Sequence, residues 1–187
     1  RVMANGEGVS FRHEDGLLVI DNPPADARFV LEIRNTCAPE KNKQLSGLYT
    51  SGSGFCTQCE AEGFRRITYF LDRPDVMAVY TVVLRADKAK YPVLLSNGNL
   101  LEQADLPNGR HMAKWHDPFP KPSYLFALVA ADLVCREQRI TARNGKEHLL
   151  QVHVRRGDLD KTEHAMNSLV ASVAWDEARF GLPLDLE

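Results

Sequence analysis

Gly54-Phe-Cys-Thr-Gln-Cys-Glu-Ala-Glu-Gly-Phe-Arg65, continued by Arg66-Ile-Thr-Tyr-Phe-Leu-Asp-Arg-Pro-Asp75, decides how this chain is read. It crowds Cys56, Thr57, Gln58, Cys59, Glu60 and Glu62 between Gly/Ser punctuation and an apolar run, Ile67 to Leu71. A core strand has no use for that mixture. Residue types alone leave two readings, a solvated loop with two incidental cysteines or a loop that displays polar groups for recognition.

Outward from this stretch the pattern is one of strands. Upstream, Leu17-Leu-Val-Ile20 predicts a short buried strand ended by Asp21-Asn-Pro-Pro24, and Arg28 to Asn35 alternates so that Phe29, Leu31 and Ile33 share a face. Ser46 to Gly54 is rich in Gly and Ser, as suits a backbone that bends close to another surface. Downstream, Val76 to Ala86 and Tyr91 to Leu95 predict strands, and Asn97-Gly98 predicts a type I′ hairpin, because both of its residues tolerate positive φ. Arg110 to His116 is the next expected strand. Asp117-Pro-Phe-Pro-Lys-Pro122 is expected to be an extended connection with no helix, Tyr124 to Leu133 a fully buried strand, and Arg139 to Val154 a hairpin around Asn144-Gly145.

One segment breaks the pattern. From Lys161 to Phe180, Met166, Leu169, Val170 and Val173 recur at helical spacing, Asp160 with Glu163 forms a capping-box pattern, and Gly181 is placed to stop the helix. Strands followed by a late helix suggest a mainly β, antiparallel domain and then the start of a mixed one. With 187 residues, 44% of them hydrophobic, the chain can bury a sizeable core. A net charge of -2 and a pI near 6.3 provide no basic footprint for nucleic acid. No apolar run reaches the roughly 18 residues of a spanning helix, and the first residues lack the apolar stretch of a signal peptide.

Of the four cysteines, Cys37, Cys56, Cys59 and Cys135, only Cys56 and Cys59 form a close pair. A structural zinc site needs four ligands, usually as two such pairs or a pair plus two histidines, so reduced cysteines of a cytoplasmic protein are expected here rather than a zinc ribbon or a disulfide set. The six histidines have no ligand spacing and are expected to be surface or sheet-packing residues.

Gln58-Cys59-Glu60-Ala61-Glu62-Gly63-Phe64-Arg65 with Phe70-Leu71-Asp72-Arg73-Pro74-Asp75 resembles the N-terminal region of zinc metallo-aminopeptidases of the aminopeptidase N type, in their bacterial branch. Tyr91-Pro92 through Gly98, Asp117 to Pro122, Tyr124 to Ala130 and Trp175 to Gly181 continue the resemblance in order. It implies a saddle-like β domain over residues 1–132, lacking its first strands, and then, over 133–187, the opening hairpin and first helix of a thermolysin-like catalytic domain. It also implies Zn2+ in the intact enzyme, with no ligand in this chain. H-E-x-x-H, whose histidines hold zinc with the glutamate as general base, is absent from these residues, as is Gly-x-Met-Glu-Asn, and both are expected downstream of Glu187. The chain is therefore read as a piece that is inactive alone.

By the same resemblance Glu60 binds the α-ammonium group of a peptide substrate and Gln58 lines the pocket for its first residue. If the stretch is extended, Gln58, Glu60 and Glu62 share one face, and Glu62 is expected to pair with Arg65 or Arg66. Asp72, Arg73 and Asp75 are expected to form a charge network around Pro74. The partners implied are a peptide and the remainder of the catalytic domain, with neither nucleic acid nor membrane. The Met166, Leu169, Val170, Val173 face of the helix is expected to dock on protein beyond this chain. The alternative is a free-standing β-sheet module that captures peptide N-termini. A glycosidase-like pair of Glu60 and Glu62 fits poorly, because such carboxylates flank a bond from separate elements.

Overall fold

The computed structural model describes residues 1–186. In chain order the strands are β1 (Val2–Ala4), β2 (Glu7–Gly8), β3 (Phe11–Glu14), β4 (Leu17–Ile20), β5 (Leu31–Ile33), β6 (Gly47–Ser51), β7 (Gly54–Gln58), β8 (Met77–Asp87), β9 (Val93–Ser96), β10 (Asn99–Leu106), β11 (Arg110–Pro122), β12 (Leu128–Ala131), β13 (Leu133–Thr141) and β14 (Glu147–Arg155). Helix α1 (Glu163–Phe180) follows. Strand pairing is antiparallel, as the turn chemistry requires. The molecule is mainly β. No helix among the described residues is long and apolar enough to cross a membrane.

Backbone contacts divide the chain into two units. The first comprises Arg1–Thr50, Thr57–Ala78 and Lys121–Phe126, and the second comprises Ser51–Cys56, Val79–Pro120 and the residues from 127 onward. In the first, β2, β1 and β5 form a three-stranded sheet, and β3 pairs with β4 from Phe11 opposite Ile20 to Glu14 opposite Leu17. The turns in this region are Asn5-Gly6 and Asp15-Gly16, each with both residues at positive φ, 51 and 87° and then 50 and 80°. Those are the values a tight antiparallel hairpin demands, and Asx-Gly pairs reach them at low steric cost.

The second unit holds the core. Along β8 the inward positions are Ala78, Tyr80, Val82, Leu84 and Ala86, the period of two that a half-buried strand shows. Leu94, Ala113 and Ala130 are buried, with Phe55, Leu84, Tyr91 and Trp115 packed against them. Each large side chain sealed from water there contributes about 2 kcal/mol. The Trp115 indole, buried on one edge only, satisfies its N–H by donating to the Leu94 carbonyl at 3.1 Å. β13 and β14 pair along their full length, from Leu133 opposite Arg155 to Thr141 opposite Glu147, around the expected Asn144-Gly145 turn.

Several expectations need correction. Asn97-Gly98 is not a type I′ hairpin: only Gly98 has positive φ, and β9 and β10 lie in different sheets. Asn97 instead accepts the Ala127 N–H on its side-chain oxygen at 2.6 Å, and a Cβ on Gly98 would stand 2.2 Å from the His116 carbonyl oxygen. This glycine answers a close backbone approach. The true type I′ turn in this region is Asn108-Gly109, with φ of 60 and 69°. β4 forms where expected but is not buried, with Leu17 65% exposed, because a lone hairpin covers only one face. The Arg28 to Asn35 strand shrinks to Leu31–Ile33, which pairs with β1, and leaves Phe29 and Val30 exposed.

Tyr124 to Leu133 is not one fully buried strand. A 3-10 turn occupies Ser123–Leu125 before β12, and within β12 only Ala130 is buried. The proline-rich connection is indeed extended, and it continues β11 without a break through Pro122. At the helix, a 3-10 turn over Leu159–Thr162 precedes α1, Thr162 occupies the N-cap position, and the Asp160 and Glu163 capping box does not form. The Thr162 hydroxyl donates to the Leu159 carbonyl and accepts from the Arg136 guanidinium, which removes it from capping duty. Gly181 ends the helix in the left-handed conformation expected, φ 69°, its N–H donating to the Glu177 carbonyl. The Met166 and Val173 face does not wait for protein beyond the chain. Both residues are buried where α1 packs on the β13–β14 hairpin, and Glu177 reaches the same hairpin to accept the Arg143 backbone N–H.

Gly98 and Gly157 separate two costs. Both have positive φ, 85 and 89°, but nothing lies within 4 Å of a Cβ built on Gly157. Gly157→Ala should therefore cost only backbone strain, about 1 kcal/mol, whereas Gly98→Ala adds a collision with fixed backbone and should cost about 3 kcal/mol or more. Urea denaturation of the two variants measures the difference, and equal midpoints would show that the approach at Gly98 yields freely.

Candidate functional site

The loop that follows β7 is shaped by a shortage of space. The Gly63 N–H donates to the Cys59 carbonyl at 2.8 Å, which folds Glu60-Ala-Glu62 into a tight turn, and a 3-10 turn over Phe64–Arg66 continues from it. A Cβ on Gly63 would lie 2.5 Å from the Gln58 carbonyl oxygen and 2.9 Å from the Gly47 nitrogen. Gly47, at φ 77°, is pressed in turn against the Arg66 Cβ. Two glycines therefore let three backbone segments meet with no side chain between them. The Glu60–Ala61 peptide bond is cis.

Below the turn the loop is anchored by packing and charge. Phe64 is buried, with Phe70 and Phe126 edge-on at ring separations of 5.3 and 5.1 Å. Asp72 is buried nearby and receives four hydrogen bonds. Its Oδ2 accepts the Arg65 backbone N–H and the Arg65 Nε, both at 3.0 Å, its Oδ1 accepts the Ser123 hydroxyl at 2.5 Å, and its carbonyl accepts Arg65 Nη2 at 2.8 Å. Burial alone would raise the Asp72 pKa, but the bonds from Ser123 and Arg65 outweigh it and hold the carboxyl below its usual range. Burial, with the Asp72 charge beside it, pushes the Cys59 thiol up to about 11.

The candidate recognition residues sit at the top. Gln58 is the last residue of β7 and Glu60 lies in the turn, both exposed. Among the described residues neither side chain has a hydrogen bond or ion pair. Glu62 does: its carboxylate is 3.5 Å from the Arg65 guanidinium, the pairing expected for it. The single extended face for residues 58, 60 and 62 is not present, because the chain turns after Gln58. The expected network of Asp72, Arg73 and Asp75 splits. Arg73 pairs with Asp75 alone, while Asp72 turns inward to Arg65 and Ser123. Ser123 was invisible to local reading, since it lies 51 residues from its partner.

Among the described residues no three His, Cys, Asp or Glu side chains converge in a way that could hold a metal ion. A zinc ion does not fit this part of the molecule. The four cysteines are free thiols, with Cys37 exposed and Cys59 buried.

The fold is mainly β and antiparallel, ends in a hairpin and a helix, and presents a carboxylate without a partner among the described residues on a glycine-pinned turn. The chain belongs to the M1 peptidase family, whose Peptidase M1 N-terminal domain model matches residues 9–125. It is 55% identical over 178 residues to aminopeptidase N of Escherichia coli (strain K12), covering 95% of this chain and 20% of that protein. Identity is 50% over 186 residues to aminopeptidase N of Haemophilus influenzae, covering 98% and 21% of the two chains. The chain thus spans about a fifth of the length of these curated relatives. The crystal structure of Legionella pneumophila aminopeptidase A in complex with aspartic acid superposes with a TM-score of 0.93 at 35% identity, covering 99% of this chain and 22% of that one. An M1 zinc metallopeptidase from Deinococcus radiodurans, at 16% identity and a TM-score of 0.65 over 83% of this chain and 37% of its own, shares the fold.

Two outcomes follow from the anchor. Asp72→Asn should destabilise the protein by about 3 kcal/mol at neutral pH, the cost of replacing a buried carboxylate that accepts from Ser123 and twice from Arg65. Because the folded-state pKa of Asp72 is depressed, that stabilisation is complete above the ordinary carboxylate range and is lost as pH falls through the folded value. Wild type and variant should therefore converge in acid, below about pH 4. Parallel denaturation curves at all pH values would refute it. The second outcome concerns thiols: iodoacetamide at about pH 8 should modify Cys37 readily and Cys59 only after unfolding, since a pKa near 11 and burial both suppress the thiolate. Mass spectrometry of the labelled native protein provides the check.

Proposed function

We propose that this chain is the substrate-recognition part of a zinc aminopeptidase that removes N-terminal residues from peptides, with Glu60 receiving the substrate α-ammonium group and Gln58 lining the pocket for the first residue. The observation that carries this reading is the contrast within the turn, where Glu62 is spent on Arg65 while Glu60 is exposed with its charge unanswered among the described residues. A carboxylate held on a rigid turn and left unpaired suits an ammonium partner, since a charge-assisted hydrogen bond in a closed cleft is roughly twice as strong as a neutral one. High identity to proteins named aminopeptidase N supports the reaction class.

The division of labour in this reading puts the β domain over residues 1–132 and the start of the catalytic domain at 133–187. The family model, which ends at residue 125, and the pairing of β13 and β14 as a two-stranded sheet of their own support that boundary. Zinc belongs to other parts of the whole protein, where it would supply the hydrolytic chemistry, and this chain alone is inactive. Four free thiols accord with a cytoplasmic enzyme. The partners are the peptide and the remainder of the catalytic domain.

In the whole enzyme, Glu60→Gln should lower kcat/KM for free-amine substrates by about thirtyfold or more, which corresponds to about 2 kcal/mol, with zinc content and stability unchanged. The change is nearly isosteric, so packing survives while the anion is lost. An inhibitor without an amine should bind the variant as it binds wild type. Glu62→Gln, which removes only a half-exposed ion pair, should be mild. Near-normal kcat/KM in Glu60→Gln beside a collapse in Glu62→Gln would assign the role to the other carboxylate.

A further inference from the structure

A cavity lies in the first unit, lined by neither Gln58 nor Glu60. The loop 37–44, with Leu48 and Arg66, lines an open cavity of about 410 Å³. Three of its lining residues are cations, Lys41, Lys43 and Arg66, and none is a carboxylate; Glu40 shares the 3-10 turn with Lys41 but does not line the cavity. Among the described residues none of the three cations has an ion pair. That is a local inversion, because the chain as a whole has 25 acidic residues against 23 basic ones.

The walls are fixed by neutral groups. The Asn42 side-chain amide donates to the Ser46 and Leu48 carbonyls at 2.8 and 2.9 Å, and its oxygen accepts the Gln44 N–H, so the lysine-bearing loop is closed on itself. Outside the lining, Asn35 donates to the Ile67 carbonyl and accepts the Thr68 hydroxyl, both at 2.8 Å, and so ties down the chain that follows Arg66. The Arg66 Cβ is held against Gly47. Hydrogen bonds therefore shape the cavity while the charges are left over, the arrangement of a preformed electrostatic site.

The geometry points to a binding site for a small polyanion of the phosphate class, held by Lys41, Lys43 and Arg66. Three positive charges around so small a volume call for dense negative charge, which phosphate groups supply at nearly two per group and carboxylates at one. Arg66 can grip a phosphate through two parallel N–H bonds, and the lysines act as point charges.

Cys37, which lines the same cavity, provides the readout. In the full-length protein, inorganic triphosphate should slow iodoacetamide modification of Cys37 saturably, with half-protection below about 10 mM. Lys41→Gln/Lys43→Gln should raise that concentration by about tenfold or more, and Arg66→Lys, which keeps the charge, should raise it less. Both lysines are exposed, so the fold should tolerate the change; unaltered protection of Cys59 reports that it has. No protection by triphosphate, equal protection in the double variant, or equal protection by citrate or by chloride at matched ionic strength would each overturn the assignment.

Discussion

The Asp72 carboxylate is the constraint on which the loop after β7 depends. It is a single buried anion, bonded to the Arg65 backbone, the Arg65 guanidinium and the Ser123 hydroxyl, so it ties together three points of the chain that sequence separates. A buried charge is costly unless every lone pair is used, and here the cost is met by donors that must all be in place at once. That makes the arrangement all-or-none. The loop either has this geometry or loses its anchor. Phe64, edge-on to both Phe70 and Phe126, supplies an apolar anchor for the same loop.

Anchoring below and exposure above belong together. Glu60 can remain unpaired only because nothing in the loop needs it for stability; Glu62 and Asp72 already answer Arg65. The cavity beside Cys37 follows the same logic with the signs reversed, since Asn42 closes its loop while Lys41, Lys43 and Arg66 have no ion pair among the described residues.

Much of this was legible in the residues. The β-branched and apolar character of Val76 to Ala86 marked β8, and the helical spacing of Met166, Leu169, Val170 and Val173 marked α1, because both signals are local consequences of backbone geometry and side-chain shape. The Asn144-Gly145 turn was legible for the same local reason. Asn97-Gly98 misled because the dipeptide reports only that positive φ is permitted, not why it is needed; at Gly98 the demand comes from the His116 backbone, distant in sequence. The helix N-terminus misled in a similar way, when Arg136 from β13 claimed the Thr162 hydroxyl. In the candidate site, the motif around Gln58 and Glu60 was visible, and so was the pairing of Glu62 with a following arginine. The Asp72 to Ser123 bond was not, since no periodicity links residues 51 apart.

The contact of Gly47 with Gly63 bears on how such a protein can change over generations. A methyl group at either position would strike the backbone opposite, so the shape of the turn is closed to variation at these two positions. Gln58, Glu60 and Glu62, by contrast, project into solvent, and their side chains can be exchanged without disturbing that frame. Variation in this turn must therefore come through side-chain chemistry at positions 58, 60 and 62 rather than through a new contour. An engineer who alters the loop should randomise those three positions and leave both glycines alone.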